Sequence, residues 1–107
     1  MKILTLEHEL PGATSEDFQR VANVEAHRVW ALIQEEKIRE ISFRRERDNA
    51  LILLEGHDPE EAEKILAMLP MDKNGLIEFE LIPLKPYPGL ARLFDCVKET
   101  GIERDPD

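Results

Sequence analysis

Apolar and polar positions change period several times along the chain, and each change marks an element. Lys2–Glu9 carries Ile3, Leu4 and Leu6 on both sides of a pleat, the pattern of a strand in the middle of a sheet. Pro11-Gly12 breaks it. Thr14 or Ser15 then caps a helix whose first turn holds Glu16 and Asp17, at the positive end of the helix dipole. That helix is predicted to run to about Glu36. Phe18, Val21, Ala22, Val29 and Ile33, with Ala26, Trp30 and Leu32 beside them, repeat near the 3.6 period. Ile38–Arg45 alternates as a second strand, with Ile41 and Phe43 on one face and Glu40, Ser42 and Arg44 on the other. Asp48-Asn49 supplies a hairpin turn into Ala50–Glu55, a continuous apolar strand. Asp58-Pro59 opens a second helix, Ala62, Ile65, Leu66 and Leu69 form its buried stripe, and Pro70 is expected to end it. Asn74-Gly75 turns the chain into a fourth strand, Leu76–Leu84. Its Ile77, Phe79 and Leu81 face one way, and Glu78, Glu80 and Ile82 the other.

The order strand–helix–strand–strand–helix–strand is the ferredoxin-like βαββαβ pattern. It predicts an α+β fold, a four-stranded antiparallel sheet in the order 4-1-3-2 with both helices on one face. The two fully apolar strands become central and the two with a polar face become edges. Ile41, Phe43, Ile77, Phe79 and Leu81 line the helix side. The opposite face keeps Ile82 and one set of central-strand apolar residues. A bare patch of that kind is a liability. A second copy placed face to face would cover it, so the expectation is a homodimeric α+β barrel. The arm Lys85-Pro86-Tyr87-Pro88-Gly89, stiffened by its prolines, and the apolar turn Leu90–Phe94 are expected to lie across a subunit edge, anchored by Phe94. Residues 1–95, with the arm 85–95, make the predicted domain, and 96–107 a polar tail.

The chain has 107 residues, one domain's worth. Its 42% apolar and 35% charged content excludes a disordered acidic tail. A net charge of −9 argues against nucleic acid and anionic membrane as partners. No apolar run approaches the ~20 residues of a membrane span, and the N-terminus lacks the form of a leader. With a single cysteine, Cys96, no intrachain disulfide framework is possible. These features predict a soluble, cytoplasmic protein.

The segments Ala67-Met68-Leu69-Pro70-Met71, Gly75–Leu84 and Pro86–Phe94, with Trp30 and the Ile38-Arg39…Phe43-Arg44 strand, resemble the muconolactone delta-isomerase-like family. The resemblance covers about Met1 to Phe94 and is closest to the small uncharacterised members. In the isomerases of aromatic degradation the second strand carries Arg-His-Leu-Trp-Arg. Here the stretch is Arg39-Glu40-Ile41-Ser42-Phe43-Arg44. The resemblance implies the dimeric α+β barrel.

No metal or cofactor is expected. His8 and His57 end antiparallel neighbouring strands and so lie at opposite edges, and His27 is mid-helix. Cys96 has neither a base nor an orienting partner, and Gly56 alone is a weak phosphate signal. The sharper set is Glu78 and Glu80 on the fourth strand with Ser42 and Arg44 on the second. These are opposite edges of one subunit that a face-to-face dimer brings together. A carboxylate in a half-apolar cavity holds its proton more tightly and can move it. Lactone isomerisation, the chemistry the resemblance implies, is a proton abstraction beside a carbonyl followed by its return. Glu80 or Glu78 would be the proton-transfer group and Arg44 its anion partner; the plainer reading is an interfacial ion pair that fixes register. Trp30, Phe43, Phe18, Ser42, Arg28 and Tyr87 are candidate ligand contacts, though the aromatics also suit plain core and Arg28 a surface pair with Glu25. The expected function is binding, and isomerisation, of a small apolar organic acid or lactone between helix and sheet or within the dimer. The alternatives are a non-catalytic ligand-sensing or assembly module, and haem ligation by His8 or His27.

Overall fold

The computed structural model describes residues 1–95, the side chain of Asp95 excepted, so Cys96 and the tail 96–107 lie outside the described residues. The strands are β1 (Lys2–Glu9), β2 (Ile38–Phe43), β3 (Ala50–Glu55) and β4 (Ile77–Pro83). They form one antiparallel sheet in the order β2-β3-β1-β4, as the ferredoxin-like pattern requires. The helices are α1 (Ser15–Gln34), α2 (Pro59–Ala67), a single turn α3 (Pro70–Lys73) and, after a 3-10 turn at Pro88–Ala91, α4 (Arg92–Asp95).

Local chemistry sets the helix ends. Thr14 Oγ1 accepts the Asp17 N–H at 3.2 Å, while the Asp17 carboxylate accepts the Thr14 N–H at 3.0 Å, a reciprocal cap on α1. Asp58 accepts the Glu61 N–H at 2.9 Å, and Pro59 fills the first position of α2, where a missing N–H costs nothing. α1 stops two residues short of the predicted Glu36, because Glu36 takes φ +64, the left-handed conformation that closes a helix. Pro70 does not end a helix but opens one: α2 closes at Ala67 and Leu69 caps α3. β2 is shorter than its alternation suggests. It carries a bulge between Ile38 and Glu40 and gives way after Phe43 to a loop closed by Arg44 N–H donating to the Asn49 carbonyl at 3.0 Å.

Register sorts the side chains into two faces. Ile3 and Thr5 of β1, Ala50, Ile52 and Leu54 of β3, Ile38 and Ile41 of β2, and Ile77, Phe79 and Leu81 of β4 face the helices. Thr5 is fully buried and spends its hydroxyl on the Ile52 carbonyl at 3.1 Å. Ile3, Ile52 and Leu54 pack with Leu32 of α1, with Ala62, Ile65 and Leu66 of α2, and with Leu69. This core therefore sits toward the C-terminal half of α1. Leu4, Leu6, Leu51, Leu53 and Ile82 line the opposite face and stay half-exposed. Tyr87, Leu90, Leu93 and Phe94 are exposed along the arm. No helix of the described residues is long and apolar enough to cross a membrane.

Candidate functional site

The N-terminal half of α1 stands over the other end of the sheet without filling the space beneath it. α1 presents Phe18, Ala22, Ala26 and Val29 there, and two alanines leave room where the C-terminal half has Leu32 and Ile33. Ile41 and Phe43 of β2, Ala50 and Ile52 of β3, Phe79 of β4 and Met71 of α3 complete the apolar wall of a cavity of about 440 Å³. That volume suits a small organic ligand, whose sites run to roughly 300–1,000 Å³.

Two carboxyls enter this wall from opposite sides. The inward positions of β1 are Ile3, Thr5, Glu7 and Glu9, so pleat alternation turns Glu7 under the helix. Glu25 occupies the inward stripe of α1, three residues beyond Ala22 and four before Val29. Both are half-buried. Glu7 Oε1 accepts the Ala50 N–H at 3.2 Å, and the buried Asn49 side chain also donates to this carboxyl. Glu25 Oε1 accepts the Met71 N–H at 2.9 Å. These bonds aim the side chains; they do not cancel the cost of leaving water. Burial is the main cause that lifts the Glu7 pKa above the usual glutamate range, with the charge of Glu9 adding to it and the Ala50 and Asn49 bonds and His8 opposing. Burial lifts Glu25 as well, helped by the charges of Glu7 and Asp72 and opposed by the Met71 bond. Glu9 and Asp48 add two more acids, and none of the lining residues is Lys, Arg or His. Arg47 and His8 line a neighbouring polar cleft that shares Glu9 and Asp48 with the cavity.

The residues singled out in the sequence are spread more widely. Phe43 and Phe18 line the cavity, Phe43 at its rim with 62% of its surface exposed. Trp30 is 58% exposed and outside the lining, as is the exposed Arg28. Glu25, one of the surface partners considered for Arg28, turns inward to Met71 instead. Ser42 is on the far face of the sheet, and Tyr87 is 72% exposed in the arm. Glu78 and Glu80 are exposed on that far face, with His8 Nε2 3.6 Å from Glu80 Oε1. Arg44 lies in the β2–β3 loop, 3.1 Å from Glu46, with β3 and β1 between it and Glu80. Within one chain the structure does not bring Arg44 and the two glutamates together. Among the described residues, no three His, Cys, Asp or Glu side chains form a group that could hold a metal ion.

Sequence reasoning meets Glu7 only in the triplet Glu7-His8-Glu9, set aside as a ligand set because it alternates faces, and Glu25 only as a surface partner for Arg28; it assigns neither to the site. A signal is there nonetheless: each is a charged residue at an inward-phase position of an amphipathic element.

No family model matches the sequence, and no curated protein matches it either. Among solved structures, the chain is similar to 5-chloro-2-hydroxyhydroquinone dehydrochlorinase from Burkholderia phenoliruptrix AC1100 in complex with 2,5-dihydroxybenzoquinone. The TM-score is 0.59 at 17% sequence identity, over 79% of this chain and 94% of that one. At this identity the likeness is one of fold.

A raised carboxyl pKa has a signed consequence for stability. The folded chain binds these protons more tightly than the unfolded chain. Stability therefore falls as pH climbs from the unfolded glutamate value, about 4.3, through the raised folded values. Glu25→Gln keeps an acceptor for the Met71 N–H and removes the charge. Its melting temperature is expected to lie a few degrees above the parent at pH 7.5 and to converge with it near pH 4. Melting curves across that range check this; a variant less stable at pH 7.5 contradicts it.

Proposed function

We propose that the protein binds a small, largely apolar organic molecule in the cavity between α1 and the sheet, and moves a proton on it through Glu7 and Glu25. The observation that carries this reading is the pair of half-buried carboxyls, one from the sheet and one from the helix, in an otherwise apolar wall. A general base must hold its proton near working pH to exchange it readily, and partial burial tunes a glutamate in that direction. One carboxylate takes the proton from the carbon beside a carbonyl, and the electron pair left behind enters the conjugated system as an enol. The other carboxyl, protonated, donates to the forming enol oxygen. The first carboxyl then returns its proton to a different carbon while the second takes back the enol O–H proton, so the carbonyl re-forms, the double bond moves, and no atom is gained or lost. Lactones, enones and ring enols undergo such shifts.

Two further considerations support the reading. Three segments of the chain, Ala67–Met71, Gly75–Leu84 and Pro86–Phe94, resemble the muconolactone isomerase-like proteins, whose chemistry is of this class. The structurally similar dehydrochlorinase is named for 5-chloro-2-hydroxyhydroquinone and was solved holding a quinone, which makes a small oxygenated ring a reasonable occupant of this fold.

We further propose that the chain forms a homodimer through the far face of the sheet and the arm. Leu4, Leu6, Leu51, Leu53 and Ile82 form a continuous half-exposed patch on that face, and the arm's Leu90 and Phe94 are uncovered. In such a dimer Arg44 of one copy meets Glu78 and Glu80 of the other, as a register-fixing ion pair or as the second reading of the catalytic set.

Deuterium incorporation from D2O into an unsaturated γ-lactone, followed by proton NMR, tests the catalytic reading. The parent is expected to accelerate exchange, and Glu7→Gln and Glu25→Gln to lose it by roughly 10²-fold or more. Equal exchange by both variants contradicts the assignment, and none by the folded parent favours the non-catalytic module. Light scattering tests the assembly: the parent is expected at the dimer mass and Leu53→Lys at the monomer mass, whereas a monomeric parent contradicts the interface.

A further inference from the structure

The charge of the cavity wall restricts the ligand beyond its size and apolar character. Building on the proton-transfer reading of this same site, we propose that the cavity takes an uncharged, hydroxyl-bearing ring and turns away the organic acid of the same size. Four of the lining side chains are acids, Glu7, Glu9, Glu25 and Asp48, and no lining side chain is basic. A ligand carboxylate would enter with no cation to meet it. It would face Glu7 and Glu25 across an apolar wall that screens charge far less than water does. The binding of an organic acid calls for at least one convergent Arg, Lys or His, and the neighbouring cleft, not the cavity, holds Arg47 and His8.

A hydroxyl is the complementary group. Glu25 Oε1 is occupied by the Met71 N–H, which leaves its second oxygen to meet a ligand, while the Glu7 carboxyl already takes the Ala50 N–H and the Asn49 side chain and offers a ligand its remaining lone pairs. A ligand O–H donated to an ionised carboxylate is a charge-assisted bond, about twice as strong as a neutral one. With one acid on the sheet and one on the helix, a ring carrying two hydroxyls can satisfy both. Space permits this: an apolar void of about 150 Å³ already admits a benzene ring, and this cavity is about 440 Å³. Phe18, Phe43 and Phe79 offer ring surface to pack on. An ammonium ligand would match the sign of the wall, but its charge must be stripped of water against a mostly apolar lining, where an ion pair often fails to recover that cost. The neutral diol avoids it.

Calorimetric titration at pH 7.5 with three probes of one shape tests this: resorcinol, 3-hydroxybenzoate and 3-hydroxybenzylamine. Each is run on the parent, on Glu25→Gln and on Ala26→Phe, which fills the cavity. Resorcinol is expected to bind at least tenfold more tightly than 3-hydroxybenzoate and more tightly than the amine. Glu25→Gln is expected to narrow the gap to the benzoate, and Ala26→Phe to abolish resorcinol binding. If the benzoate or the amine binds best and Ala26→Phe abolishes that binding, the uncharged-ligand inference is overturned and the site stands. If none of the three binds the folded parent, both the inference and the site reading fall. Should Ala26→Phe not fold, Phe18→Ala takes its place and is expected to weaken resorcinol binding; binding unaffected by that change overturns the assignment to this cavity.

Discussion

Two carboxyls held half out of water between a helix and a sheet are the constraint around which the rest of this molecule is arranged. Neither position is accidental to the backbone. Alternation along β1 turns Glu7 inward in the same phase as Ile3 and Thr5, and the helical period turns Glu25 inward in the same phase as Ala22 and Val29. An ionised group at such a position costs stability unless it is met by donors. The Ala50 and Met71 N–H groups meet one oxygen each, at 3.2 and 2.9 Å, and leave burial as the dominant influence on both protons. The well-packed end of the domain, where Leu32, Leu54, Ile65 and Leu66 exclude water, carries the stability that this open end lacks. Close packing and open space are thus separated along a single helix, with Leu32 and Ile33 toward its C-terminus and Ala22, Ala26 and an acid over the cavity.

Most of the fold was legible because period and sheet position speak to one another. Continuous apolar runs at Ile3–Leu6 and Ala50–Leu54 belong to the central strands, and alternating runs at Ile41–Phe43 and Ile77–Ile82 belong to the edges, as the observed order β2-β3-β1-β4 has it. Element ends were less legible. Pro70 reads equally as the stop of one helix or the first residue of the next, and only the backbone around Met68 and Leu69 decides between them. The bulge at Arg39 leaves no mark in the pattern.

The site was harder for a physical reason. A search for chemistry among polar faces looks where charge is ordinarily found, and so arrives at Glu78, Glu80 and Arg44, which solvent and His8 or Glu46 accommodate within one chain. A charge buried in the apolar phase of an element is the rarer event, and it carries more information because it costs more. Glu25, one turn from Ala22 and Val29, is such a residue, and so is Glu7, two residues beyond Thr5. Trp30, Phe18 and Phe43 are equal candidates in the sequence, as pocket or as plain core, because aromatic side chains at helical and strand spacing suit both; the two phenylalanines line the cavity, whereas Trp30 is exposed outside it. The volume of the cavity comes from Ala22 and Ala26, and small residues signal nothing by themselves until the sheet opposite them is in place.

The central claim is that burial in the wall of one cavity makes Glu7 and Glu25 hold their protons more tightly than ordinary glutamates. Carbon-detected NMR of the side-chain carboxyls, followed across a pH titration of the folded protein, reads this directly. The account predicts that both carboxyls titrate with midpoints above the usual glutamate value of about 4.3. Titration of both at the ordinary glutamate value would contradict it.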